Sequence, residues 1–388
     1  MIKRHAKAEL RKLASQFKAV ALVGPRQSGK TTLARHTFAE KPYVSLENPD
    51  SRQFALEDPR GFLNQYASGA ILDEAQRAPH LFSYLQQVLD EDPAPGKFII
   101  TGSNNFLLHE NISQSLAGRI AYLILLPFAV SELQDNNSLY DLMYKGLYPP
   151  VHDQPVEAAT WYANYIRTYI ERDVRQIKNI SDLYVFEKFI RLCAGRTGQL
   201  LNMSNLAIET GVDVKTIASW IGVLESSFVI YRLQPHHRNF NKRVVKMPKL
   251  YFYDTGLAAS LLGIQQASQY PFHPQTGALF ENFMLGEMIK ARYNKSRSGN
   301  LYFWRDNTGH EIDVLIETGH ELYPVEIKSG QTITSEFYTG LNFWEKITDK
   351  KTGTVVYAGS EYQKRSGGFQ AIPWNKVHEM DALLGPGA

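Results

Sequence analysis

One cysteine, Cys193, is all the chain has in 388 residues, so an internal disulfide is excluded. Its place in an apolar helical stretch suits a buried thiol in a reducing compartment. A strong charge of either sign is missing as well. With 42 Lys and Arg against 39 Asp and Glu, the formal net charge is +3, so any contact with nucleic acid has to come from a local patch. Long apolar runs are absent. The longest, Ala121 to Val130, is interrupted by Pro127 and falls far short of the ~20 residues that cross a bilayer. Residues 1–13 carry charge at every few positions and no apolar core of the kind a signal peptide needs, so a cytoplasmic protein without a membrane partner is expected. Neither internal repeats nor low-complexity tracts are found, and the length predicts two or three domains.

What the chain does have is the stretch Gly24-Pro25-Arg26-Gln27-Ser28-Gly29-Lys30-Thr31-Thr32, which fits G-x-x-x-x-G-K-T. The apolar run Ala19 to Val23 precedes it and a helical pattern follows, the order that a phosphate loop requires. Glycines let backbone N–H groups turn inward around an anion, and the new helix presents its positive end there. Lys30 is expected to reach the outer phosphates and the Thr31 hydroxyl to ligate Mg²⁺, which makes ATP with Mg²⁺ the expected ligand.

Strands and helices alternate from there. A strand at 43–46, an irregular stretch at 47–50, a helix through Tyr66, and strands at 70–72, 97–101 and 121–126 predict a parallel sheet with helices on both faces. Asp73 and Glu74 close the third strand, at the sheet edge where such folds place their ligands. Asp73 is expected to hold Mg²⁺ through water and Glu74 to orient the attacking water. Ser103 and Asn104, after the fourth strand, are candidates to sense the terminal phosphate or position water, or else they form a plain turn. Arg119 reads either as a solvated surface arginine or as a finger reaching a nucleotide across a subunit boundary.

Together G-P-R-Q-S-G-K-T-T, I-L-D-E-A-Q-R, T-G-S-N-N, S-L-A-G-R and the later Y-I-E-R-D-V resemble the bacterial and archaeal AAA-type ATPases that carry a C-terminal domain of unknown function. The resemblance covers almost the whole chain. It implies an α/β protein with an AAA-like parallel-sheet P-loop ATPase core, a helical and winged-helix middle, and a C-terminal α/β domain similar to restriction endonucleases. The corresponding spans are residues 1–135, 136–263 and 264–388, with boundary signals at 135–155 and 263–276. A homo-oligomer is the expected assembly, with a six-membered ring as one form of it.

The residues of the last two spans point the same way. Arg167, Arg172 and Arg175 lie on the polar side of a helix over 161–176, either as a second nucleotide sensor or as a solvated face. A short helix capped by Asn202 or Ser204, a turn at Gly211 and a helix over 214–226 predict a helix-turn-helix. Strands at 228–233 and 250–253 flank the segment 236–249, which holds five Lys or Arg and no acid. With Lys215, Thr216 and Ser219, that wing suits a DNA backbone, or the unit packs between domains. Farther on, Asp313 and Glu326-Ile327-Lys328 on adjacent strands look like the PD-(D/E)xK nuclease core, with Ile312 where that pattern has proline. Glu281 matches an additional acid on the preceding helix. Carboxylates converging on a divalent metal beside a lysine are what phosphodiester hydrolysis needs. A fold kept without its activity is the alternative.

Overall fold

The structure, a computed structural model, describes residues 2–103, 115–133, 137–170, 182–238, 244–297, 299–319 and 321–380. Strands β1 (Ala19–Val23), β2 (Tyr43–Ser45), β3 (Ala70–Asp73), β4 (Phe98–Gly102) and β5 (Ile120–Ile124) form one parallel sheet in the order β2-β3-β4-β1-β5. Helices α1 (Ala6–Gln16), α2 (Lys30–Thr37), α3 (Pro49–Glu57), α4 (Pro59–Asn64) and α5 (Leu81–Glu91) cover it. Side chains alternate across a strand, and the packing follows that period. Ala19, Ala21, Val23, Leu72 and Ile100 join Phe62 of α4 and Leu85 of α5. Val20, Leu22, Ile71 and Ile99 join Leu10 of α1 and Leu33 of α2 on the other face.

The stretch 47–50 is less irregular than expected. Asn48 accepts from the N–H groups of Asp50 and Ser51 at 2.9 and 3.1 Å, and Pro49 takes the first helical position, which needs no N–H. Asp58 caps again before Pro59, so the single expected helix is two.

The middle of the chain holds α6 (Leu139–Lys145), α7 (Pro150–Asp153), α8 (Ala158–Tyr165), α9 (Leu183–Ala194), α10 (Met203–Thr210), α11 (Val214–Ser226) and α12 (Thr255–Leu261). Asn202, not Ser204, caps α10, Gly211 turns in the left-handed region at φ 79°, and Asp213 caps α11. Strands β6 (Ile230–Leu233) and β7 (Lys249–Phe252) pair antiparallel behind this helix-turn-helix. Cys193 is buried in α9, and burial raises its thiol. The stretch 135–155 is no slack connection where it is described: Leu147 and Tyr148 are core residues, and Asp254 accepts from Leu147 N–H at 2.7 Å and Tyr162 OH at 2.6 Å.

The last span opens with α13 (Thr276–Tyr293) and continues with β8 (Leu301–Arg305), β9 (Glu311–Thr318), β10 (Glu321–Lys328), α14 (Thr339–Thr348), β11 (Gly353–Tyr357), β12 (Gln363–Lys364) and β13 (Phe369–Pro373). They make a mixed sheet in the order β12-β13-β11-β10-β9-β8.

Two features knit the spans together. The segment after β6 lies along the outer edge of β8: Phe303 N–H donates to Gln234 O at 3.1 Å, His236 N–H to Phe303 O at 2.7 Å, and Val245 N–H to Arg305 O at 2.9 Å. The Trp304 indole adds a bond to Arg238 O at 3.3 Å. From α13, Lys290 donates to Phe128 O at 2.9 Å and Glu287 accepts from Val130 N–H at 2.8 Å, in the stretch just after β5. One apolar cluster accordingly runs from Ala19 to Met380. Among the described residues no helix is long and apolar enough to cross a membrane.

Candidate functional site

The loop between β1 and α2 opens on a cavity of about 570 Å³. Arg26, Gln27, Gly29, Lys30, Thr31 and Thr32 form one wall, Glu47 and Glu74 a second, and Pro149, Pro150, Asp153, Gln154 and Trp161 a third. Two glycines are dictated here. A Cβ on Gly24 would stand 2.2 Å from Leu125 O, and Gly29 sits at φ 90° where the loop turns into the helix. Gly24 to Thr32 are thus brought together as expected. Lys30, almost fully buried, donates to Gly24 O at 3.0 Å and Pro25 O at 2.7 Å and so lies folded onto its own loop.

Asp73 stands at the carboxyl end of β3, facing the start of α2. Its Oδ1 accepts from Thr31 Oγ1 at 2.9 Å and closely from Thr101 Oγ1, while Oδ2 accepts from Tyr43 OH at 2.8 Å. Burial and the carboxylate push the Tyr43 phenol up to about 12, which keeps it a donor. The donor chemistry fits Mg²⁺: the Thr31 hydroxyl and the Asp73 carboxylate are adjacent oxygens beside the loop that would hold it. Glu74 leaves the strand in the left-handed region, φ 53°, a rare state for a residue with a side chain. That turn aims it into the cavity, where Oε2 accepts from Gln76 Nε2 at 2.6 Å and Ser103 Oγ at 3.1 Å. Ser103 is therefore beside the acid; Asn104, Arg172 and Arg175 lie outside the described residues. Thr101 and Tyr43 are not legible in the sequence, because a contact between neighbouring strands leaves no local signature; Gln76, two residues after Glu74, is a local contact that was missed.

Arg119 is not part of this cavity. Its carbonyl accepts from Ala19 N–H at 3.2 Å at the amino end of the sheet, roughly 15 Å of strand from the loop. The guanidinium makes a two-pronged pair with Asp90 at 2.6 and 2.8 Å.

In the last span Asp313, Glu326 and Lys328 come together. Asp313 Oδ2 accepts from Ile327 N–H at 2.8 Å and Lys328 Nζ at 3.1 Å, and Lys328 stands 2.5 Å from Glu326. Burial alone would raise Asp313, but Lys328 and Lys249 pull it below the ordinary carboxylate range. Burial and the Asp313 charge drive Glu326 well above it. Glu281 joins the same cluster from its helix through Lys249, which acts on Asp313 as well: Glu281 binds Lys249 at 3.0 Å and Tyr251 closely, and Lys249 is also paired with Glu311. Lys249, expected as a phosphate contact of the wing, is only 3 % exposed and fills this acidic pocket instead. Among the described residues no group of three His, Cys, Asp or Glu is disposed to hold a metal. The carboxylates are drawn onto two lysines, Lys249 and Lys328.

A raised carboxyl loses stability for the fold as pH rises, since the unfolded chain releases the proton first, at about pH 4.3. Glu326→Gln removes that loss. Its stability relative to wild type is expected to improve between pH 4 and pH 8 by up to about 1.4 kcal/mol per unit of the shift. Urea unfolding at both pH values measures it, and a difference independent of pH would contradict a raised Glu326.

Residues 16–134 match a family described as an AAA domain, and residues 136–268 and 276–377 match two domains of unknown function (DUF8612 and DUF4143). Uncharacterized proteins of Mycobacterium bovis and Mycobacterium tuberculosis are each 32% identical over 335 residues, 85% of this chain and 74% of theirs. Among solved structures, a Walker-type ATPase of Pyrococcus abyssi aligns with a TM-score of 0.48 at 17% identity, over 67% of this chain and 96% of that one. AMPPCP-bound DnaA from Aquifex aeolicus aligns with a TM-score of 0.29 at 13% identity, over 57% and 85%.

Proposed function

We propose an ATP hydrolase that works on DNA, from the premise that this chain belongs to one family with the two mycobacterial proteins and carries an AAA domain. The observation that carries hydrolysis is the pairing of Thr31 with Asp73 at 2.9 Å, with Glu74 turned into the same cavity. When Mg²⁺ accompanies the nucleotide, it neutralises charge that develops on the phosphates. The loop N–H groups and Lys30 bind those phosphates, and Lys30 has to leave the Gly24 and Pro25 carbonyls to do so. Glu74 accepts a proton from the attacking water, held in place by Gln76 and Ser103. An oligomer in which Arg119 serves a neighbouring subunit is part of the proposal, and it requires Arg119 to give up Asp90.

Action on DNA rests on the helix-turn-helix of α10 and α11 and on the exposed Lys246 beyond it. Replacing Lys242, Arg243 and Lys246 with Ala is expected to weaken duplex binding about equally for all sequences. The slope of log affinity against log salt should fall by about one for each phosphate that is no longer neutralised. Lys242 and Arg243 lie outside the described residues. Wild-type affinity in the triple variant would remove the wing from the DNA surface, and ATP turnover unresponsive to duplex, single-stranded and branched DNA would remove DNA altogether.

A second reading, a nucleotide-switched scaffold, is favoured by a different observation. On the helical module Tyr184 is 78% and Ile208 79% exposed, and Lys215 is the one cation of α11. Apolar exposure suits a protein partner better than a phosphate backbone. The last span, with lysines among its carboxylates, would then bind a partner and cut nothing.

A further inference from the structure

We infer that Arg4 is a positioning residue for the phosphate loop: it fixes the outer side of the loop so that the inner side faces the nucleotide. The inference rests on the reading of the cavity as a nucleoside-triphosphate site. Arg4 precedes the first helix and lies before residue 16, where the match to the AAA domain begins. It is nonetheless 5% exposed. Its Nη1 donates to Ser28 O at 2.8 Å, its Nη2 to Leu126 O at 2.7 Å, and its Nε to Glu132 Oε1 at 3.2 Å, while the guanidinium lies 4.9 Å from the centre of the Phe128 ring.

The Ser28 contact carries the argument. In a planar trans peptide the C=O and the following N–H point in opposite directions. Holding Ser28 O on the buried side therefore turns Gly29 N–H toward the cavity that Gly29 lines, where the phosphates bind. Gly29, at φ 90°, has no side chain to limit its rotation, so the loop does not set this peptide by itself. The same guanidinium holds Leu126 O, one residue beyond the Leu125 carbonyl against which Gly24 is packed. One side chain thus ties the end of the loop to the stretch after β5 that supports its start. Three acceptors in three directions suit a planar fork of donors and not an ammonium group.

Two variants separate positioning from mere folding. Arg4→Lys retains a cation for Glu132, and Arg4→Met combined with Glu132→Gln leaves no buried charge without a partner. Both are expected to fold, as followed by thermal unfolding. In both, KM for Mg-ATP and Kd for inorganic tripolyphosphate should rise roughly tenfold, the weight of one charge-assisted hydrogen bond, with a smaller change in kcat. Lys30→Ala is the control for the site itself. If Lys30→Ala weakens both ligands while Arg4→Lys binds them like wild type, the positioning role is wrong and the site stands. If Lys30→Ala also leaves both affinities unchanged, the nucleotide reading fails with it.

Discussion

Glu74→Gln protein is expected to bind Mg-ATP with wild-type affinity and to hydrolyse it about 10²- to 10⁴-fold more slowly, the range over which a positioned general base contributes. Lys30→Ala is expected to lose tight nucleotide binding first. The reason is geometric. Lys30 sits in the loop, bonded to loop carbonyls until phosphates arrive, whereas Glu74 is held by Gln76 and Ser103 at the far wall and has no phosphate to bind. The amide of Gln is close in size to the carboxyl and keeps both contacts, but it accepts no proton. Equilibrium binding of a nucleotide together with single-turnover hydrolysis distinguishes the two defects. Parallel loss of binding in both variants would refute the division of labour between them.

The largest expected effect on stability belongs to Lys249. Replacement by Ala or Met leaves Glu281 and Glu311 facing each other without the cation between them, and removing one partner of a buried ion pair costs about 3–5 kcal/mol. That is a large part of the roughly 5–15 kcal/mol on which a folded domain usually stands. Met fills the volume of the lysine stem, so a loss as great in Met as in Ala identifies charge as the cause. Glu281, raised already by burial, is more easily protonated once Lys249 is gone, and a carboxyl that gains its proton in the fold regains stability as pH falls. Urea unfolding at pH 8 and pH 5 should therefore show the deficit shrinking at the lower pH. A loss under about 1 kcal/mol, or one that does not respond to pH, would mean that the pocket is solvated and Lys249 replaceable.

How far the sequence could be read depended on how local each signal is. The phosphate loop, Asp73 and Glu74 were legible because spacing and strand ends specify them, and the helix-turn-helix because Gly211 and two caps punctuate it within a few residues. Asp313, Glu326 and Lys328 were found together because residues two apart share a strand face and β9 is adjacent to β10. Lys249 and Arg4 were misjudged or missed for the opposite reason. The first reads as one more cation in a basic run and the second as one more in a basic start. Only tertiary contact, 32 and 24 residues away, reveals what each neutralises or holds. Strand β12 has no sequence signature, since it is two residues long and has no period to display. The middle stretch at 135–155 looked loose from its prolines and asparagines, yet Pro149 and Pro150 serve as a wall of the cavity.

The arm that follows β6 has a consequence for inheritance and not only for packing. A sheet edge with free N–H and C=O groups recruits other chains, and proteins must cover or blunt it. Here β8 is covered by backbone at 234–236 and 244–245, and the acids behind it are neutralised by a lysine from 249, both encoded before residue 264. The span from 264 onward is therefore expected to be inherited together with this arm and with Lys249. A relative that swapped it for another domain would have to replace the arm in the same step, or be left with an uncapped arm and a lysine buried for no carboxylate. Covariation across this chain should accordingly be strongest between the 234–249 segment and residues 281, 301–306 and 311, far more than between the two halves of the helical module that contains that segment.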